Sequence, residues 1–258
     1  MNHANDPQAR KDFWNNRAHL GLQAGTQDVI AKKLEIEAIA THVKDGMTVL
    51  DIGCGNGITA IELARRYAVT VTGIDNAEKM VAAAQELAAK ETLKGSTEFL
   101  VGDATQLPTD MGKFDVIYTE RTLINLSDTS AQQEAIKNIT KLLAPGGCYL
   151  MCENSMRGIQ SINELRAHIG LSEIPIPWHN CYIDDDVMEK LSLPGLTLED
   201  VEDFSGTYYF LSRIINAHIA TLKGEEPKYD DPINALALKL PALVEGLGQT
   251  KLWVWRSR

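Results

Sequence analysis

Residues 49–57 read VLDIGCGNG, a short apolar run that ends in an acid and then in three glycines at alternate positions, Gly53, Gly55 and Gly57. The apolar run fits a short buried strand. The glycines break it, and TAIELARRYA (59–68) resumes with helical spacing. A strand, a glycine loop and a helix in that order form the opening unit of a doubly wound sheet. In such sheets ligands bind beyond the carboxyl ends of the strands, where the strand order reverses. Glycine lets the backbone turn tightly there and come close to a ligand.

The same alternation continues on either side. Residues 28–42 place Ile30, Leu34, Ile36 and Ile39 near one helical stripe. Strands are expected at 48–52, 69–75, a third ending at Asp103, 114–118 and 148–153. Helices are expected at 76–90 and 130–143, the latter closed by Pro145-Gly146-Gly147. This rhythm predicts an α/β fold with a mostly parallel sheet covered by helices on both faces. Past Asn154 it loosens. Helices are expected at 161–169, 208–222 and 232–244, strands at 198–204 and 252–255, and a loop at IPIPWHN, where two prolines forbid a regular helix. The expected organisation is one domain over 1–258, with an N-terminal helical lid at 1–45 and a helical insertion at 206–247 before the last strand.

The chain has 258 residues, 44 % of them apolar, and a formal net charge of -10. That balance disfavours a nucleic-acid surface, which needs basic residues to meet phosphates. There is no long apolar run and the first residues are polar, so the expectation is a cytoplasmic protein with no membrane segment. Cys54, Cys148, Cys152 and Cys181 form no CxxC pair, and no metal site is expected. Cys148 and Cys152 would share one face of a strand about 13 Å apart, too far for a disulfide.

A dinucleotide loop wants GxGxxG, but its third glycine position is Ile58. Asp51 would also repel a pyrophosphate. An acid there suits a cationic or hydroxyl-rich ligand. Asp75 closes the second strand, where a carboxylate can accept both hydroxyls of a ribose. Asp103 closes the third and could accept an adenine amino group, with Ala104 offering its N–H and Met80 an adaptable apolar surface. Asp103 could equally cap a turn.

Taken together, VLDIGCGNG, GID, GDATQLP, FDVIY and LLAPGGCYL resemble the successive motifs of the class I S-adenosylmethionine-dependent methyltransferases, from Thr48 to about Glu153. The resemblance implies a seven-stranded sheet ordered 3-2-1-4-5-7-6 with strand 7 antiparallel. It implies that Asp51 and the loop Gly53, Cys54, Gly55 and Asn56 hold the amino-acid end of S-adenosyl-L-methionine. Asp75 and Asn76 would hold the ribose, and Met80, Asp103 and Ala104 the adenine. Trp14, from a lid, and Glu120, after strand 4, complete the expected cofactor set.

The family reads its substrates after strands 4 and 5 and in variable additions. Arg121 could clamp a carboxylate or phosphate, or pair with Glu120. Asn154, Trp178, Tyr182, Tyr209 and Arg213 are the other substrate candidates. His179 is the candidate base, as histidine is the side chain best matched to proton transfer near pH 7. The NPPY or DPPY motif of amino-methylating enzymes on nucleic acid or protein is replaced by YTER. The expected reaction is methyl transfer to an O, N or S atom of a small molecule, by a monomer or homodimer without a nucleic-acid or membrane partner. Two alternatives share the sheet: a protein that binds S-adenosylmethionine without transferring its methyl group, and an NAD-dependent oxidoreductase. Ligand binding separates the second and a methyl-acceptor screen the first.

Overall fold

The computed structural model describes residues 6–108 and 110–258. Seven strands form one sheet: β1 (Thr48–Ile52), β2 (Thr70–Asp75), β3 (Ser96–Val101), β4 (Phe114–Glu120), β5 (Leu143–Asn154), β6 (Leu196–Glu202) and β7 (Thr250–Ser257). Their order is β3-β2-β1-β4-β5-β7-β6, with β7 antiparallel to both of its neighbours and the pairs from β3 to β5 parallel. This is the order and hand of pairing that the resemblance implied. The order reverses between β1 and β4, so the crevice opens where VLDIGCGNG ends.

Alternation along each strand divides the side chains between two cores. Val49, Val116, Tyr118, Leu150, Cys152, Leu252 and Val254 face one core. Leu50, Ile52, Ile117, Tyr149, Met151, Trp253 and Trp255 face the other. Cys148 and Cys152 lie on the same face, and all four thiols are free.

The helices are α1 (Pro7–Arg17), α2 (Val29–Ala40), α3 (Ile58–Arg66), α4 (Glu78–Ala88), α5 (Thr129–Thr140), α6 (Met156–His168), α7 (Asp185–Glu189), α8 (Gly206–Tyr209), α9 (Ala217–Lys223) and α10 (Pro232–Ala235). Asp6 caps α1, with Pro7 at its first position, and Asp28 caps α2 through the Ala31 N–H. No helix among the described residues is long and apolar enough to cross a membrane.

Three expectations need correction. The helix expected at 232–244 stops after α10 and a 3₁₀ turn at Leu236–Leu238. Pro241 lacks an N–H and restricts the residue before it, so the helix does not continue. The helix expected at 208–222 is regular only at its ends, because Phe210–Asn216 is π-helical. The helix expected at 130–143 ends at Thr140, and Leu143 already pairs with Phe114 as part of β5.

Candidate active site

A cavity of about 740 Å³ opens at the carboxyl ends of β1 to β5, within the range of roughly 300–1,000 Å³ usual for small-molecule sites. One half is built by the glycine loop. Gly53 (φ 75°), Gly55 (φ 54°) and Gly57 (φ 75°) all adopt the left-handed backbone. A Cβ on Gly53 would overlap the Thr122 side chain, so glycine is required there. The loop N–H groups of Gly53 and Cys54 both donate to the Ile74 carbonyl. The Gly55 N–H donates to Asp75 Oδ2 at 2.8 Å, and the Ala77 N–H to Asp75 Oδ1 at 2.8 Å. Asp75 thus fixes the loop and the start of α4, and each carboxylate oxygen keeps a second lone pair for a ligand hydroxyl.

Asp51 lies at the end of β1 and is 2 % exposed. Burial pushes its carboxyl up to about 8, against the Tyr118 hydroxyl beside it. Among the described residues it has no ion-pair partner. A cationic ligand group beside Asp51 would restore its charge. Met80 is buried under the loop, and Asn76, Asp103 and Ala104 line the same half. Asp103 Oδ1 accepts from the Thr105 N–H at 2.8 Å and its hydroxyl at 2.7 Å, so it caps a turn as well as facing the cavity. These groups fit S-adenosylmethionine: acceptors for the ribose hydroxyls, an acid for the amino group and an apolar seat for the base.

The N-terminal segment meets this half of the cavity. Trp14 packs against Ala24, Ala77 and Met80. Asn56 Nδ2 donates to the Gly21 carbonyl at 2.5 Å. Lys11 pairs with Glu78, and Asn15 Oδ1 accepts the Lys79 N–H at 3.0 Å. The first five residues of the expected lid lie outside the described residues.

The other half is polar and charged. Glu120, expected in the cofactor set, lines the cavity at the end of β4. Its carboxylate takes Lys32 Nζ at 2.6 Å and Thr59 Oγ1 at 2.5 Å. Lys32 and the neighbouring Arg121 hold it down to about 2, despite its burial. Arg121 does not form an ion pair with Glu120. It stands beside Glu35, with Nε 3.3 Å from Glu35 Oε2. Arg121 has φ 52°, a sparsely populated value for a residue other than glycine. Three bonds over-determine that turn. Its N–H donates to the Cys152 carbonyl at 2.8 Å, and the Thr122 and Leu123 N–H groups donate to Glu153 Oε1 at 3.0 and 2.9 Å.

Arg213 comes from the π-helical segment. It donates to Asp28 Oδ2 at 2.8 Å, and Tyr208 donates to Asp28 Oδ1 at 2.5 Å. Its guanidinium lies over the rings of Tyr208, Tyr209 and Tyr229, 4.9 to 5.7 Å from their centroids. Asn154, Tyr182 and Tyr209 also line this half. Tyr182 accepts from Gln249 at 3.0 Å, while Tyr209 and Asn154 share Thr250 Oγ1 at 3.1 and 3.0 Å.

His179 lines the cavity as well. Its ring lies 4.4 Å from the Phe13 ring and 5.9 Å from that of Trp14. Nδ1 is buried with no hydrogen-bond partner. Burial and the nearby Arg17 and Arg10 push the imidazole pKa down, so the ring is neutral at pH 7. Trp178, expected beside it as a substrate wall, is not among the lining residues. It is half-exposed and packs edge-on to Phe13 and His179.

Sequence reasoning missed Lys32 and Glu35. They lie four and seven residues after Asp28 on α2, which is helical spacing, so three charges on one stripe were the available signal. Tyr229 and Gln249 were missed too, and a polar connector or a strand edge offers no such pattern.

The model of the family described as "Methyltransferase domain" matches residues 49–147. The 27-O-demethylrifamycin SV methyltransferase of Amycolatopsis mediterranei is 29 % identical over 75 % of this chain and 71 % of its own length. The O-methyltransferase rstn1 of Aspergillus nomiae is 33 % identical over 39 % of this chain, a match that spans 44 % of that protein. Among solved structures, the magnesium protoporphyrin IX methyltransferase ChlM of Synechocystis, determined with bound SAH, superposes with a TM-score of 0.52 at 16 % identity. The match covers 94 % of this chain and 86 % of that one. At that identity the likeness bears on the fold alone.

Proposed function

We propose that this chain is a class I S-adenosylmethionine-dependent methyltransferase that transfers the cofactor's methyl group to an oxygen, nitrogen or sulfur atom of a small molecule. The observation that carries this assignment is the single unit formed by Asp75 and the Gly55 N–H in the crevice between β1 and β4. When bound, the cofactor supplies a methyl group on a sulfonium, open to displacement by a nucleophile.

In this reading Asp75 and Asn76 hold the ribose, while Asp51 with Gly53, Cys54, Gly55 and Asn56 faces the amino-acid end. Met80, Asp103 and Ala104 seat the adenine, and Trp14 closes over them. Asn154, Tyr182, Tyr209, Arg121 and Arg213 position the acceptor. Much of the rate can come from such positioning, because a one-step displacement needs the reacting atoms in line. His179, neutral at pH 7, accepts or orients the acceptor's proton. The N-terminal segment and residues 206–247 cover the cavity mouth as parts of one domain.

The test uses S-adenosylmethionine with a deuterated methyl group and a panel of hydroxyl-, amino- and thiol-bearing small molecules. Mass spectrometry should find the label on a heteroatom of a product. Label on carbon, or no transfer to any acceptor although the cofactor binds, contradicts the proposal.

A further inference from the structure

The guanidinium of Arg121 makes no hydrogen bond among the described residues. It offers five donors, and among the described residues none donates to a protein acceptor with hydrogen-bond geometry. Its ion-pair contact is Glu35, 3.3 Å from Nε, and neither oxygen of Glu35 accepts a hydrogen bond. The side chain of Arg121 is 21 % exposed and lines the cavity, whereas that of Glu35 is 2 % exposed and lies behind it. Burial pushes Glu35 up to about 8, so at pH 7 it is largely neutral, and the charged carboxylate whose field Arg121 still feels is Glu120, which Lys32 already holds. The other charges on this wall are matched one to one, Lys32 with Glu120 and Arg213 with Asp28.

Arg121 and Arg213 belong to the same chamber. The hydroxyls of Tyr182 and of Tyr209 each feel the charge of both arginines. Arg213, whose guanidinium lies over the rings of Tyr208, Tyr209 and Tyr229, lines the same cavity. A buried guanidinium with unused donors is matched best by a planar anion, which it can bind through two parallel hydrogen bonds.

We propose that the methyl acceptor is a carboxylic acid, whose carboxylate is held by Arg121 with Arg213 flanking it, and that Glu35 is a positioning residue behind Arg121. The inference rests on the methyltransferase reading above. The cofactor also carries a carboxylate, so the test has to separate two sources of one chemistry.

Titrations with benzoate and with benzamide, matched in shape and different in charge, are run on the full chain saturated with S-adenosylhomocysteine. Benzoate is expected to bind and benzamide to bind about tenfold more weakly or not at all. Arg121→Gln should weaken benzoate by about tenfold or more. Arg121→Lys keeps the charge, guards against loss of the fold, and should weaken benzoate less. Glu35→Gln should bind benzoate at least as tightly as the parent. Equal binding of benzoate and benzamide, binding of neither, or Arg121 variants that bind benzoate as the parent does would overturn the proposal. It is also overturned if Arg121→Gln weakens S-adenosylhomocysteine but not 5′-methylthioadenosine, because the anion is then the cofactor's own. Failure of S-adenosylhomocysteine to bind the parent chain would instead strike at the methyltransferase reading.

Discussion

The carboxylate of Asp75, at the end of β2, accepts the backbone N–H of Gly55, in the loop after β1, at 2.8 Å. One side chain therefore sets the shape of the loop and offers its remaining lone pairs to a ligand. Asp75→Ala should remove both effects. Hydrogen bonds to charged groups contribute about 1.5–3 kcal/mol each, so affinity for S-adenosylmethionine should fall by roughly ten- to a hundredfold. Calorimetric titration checks this, with circular dichroism to confirm the fold. Affinity equal to the parent's would remove Asp75 from the site.

Cofactor binding should release a proton from Asp51. In the free protein burial holds its carboxyl up at about 8, with Tyr118, Glu120, Lys32 and Asp75 around it. A cationic amino group favours the ionised form, so Asp51 loses its proton when the cofactor binds. Affinity should rise as pH is raised from 6 towards 8 and level off above the free-state value. Titrations at pH 7 in buffers of different ionisation enthalpy should report proton release, and Asp51→Asn should abolish it. Affinity that falls over this range would contradict the assignment.

Gly53→Ala should be severely destabilising. The residue sits at φ 75°, and a Cβ would collide with the side chain of Thr122. Left-handed backbone costs about 1–2 kcal/mol for an L-residue and overpacking about 1–3 kcal/mol more. Urea denaturation should show a loss of roughly 2–5 kcal/mol. A variant as stable as the parent would mean that the loop takes another shape.

Replacing His179 by Gln tests the proton acceptor. General-base catalysis is worth about 10²–10⁴-fold, so kcat on the acceptor should fall by a comparable factor with cofactor binding unchanged. The ring packs on Phe13, so Phe13→Leu is a control for mere loosening of the aromatic cluster. If His179→Gln leaves both kcat and its pH profile as they were, positioning alone drives the reaction.

The half of the cavity around Asp51 and Asp75 was legible because its residues sit at strand ends. Asp51 and Asp75 close apolar runs, and Gly53 to Gly57 interrupt one, so local pattern places them on one edge of the sheet. The half around Arg121 and Arg213 depends on tertiary contacts. Nothing local says that Arg121 meets Glu35, far away on α2, in preference to its neighbour Glu120. The inward placement of Lys32 and the burial of Glu35 on a helix read for its apolar stripe were equally hidden. The π-helical turn that carries Arg213 had no sequence signal, since its composition is that of an ordinary helix. Trp178 was read as a wall from its aromatic character, but the fold turns it outward beside Phe13.

The most direct measurement is the ligand preference of the cavity beside Asp75. Purified protein is titrated calorimetrically with S-adenosylmethionine, S-adenosylhomocysteine and NAD, each also in competition with the others. The account predicts that the two sulfur compounds bind at one shared site, displace one another, and are unaffected by NAD. Clear binding of NAD with no heat from either sulfur compound would contradict it.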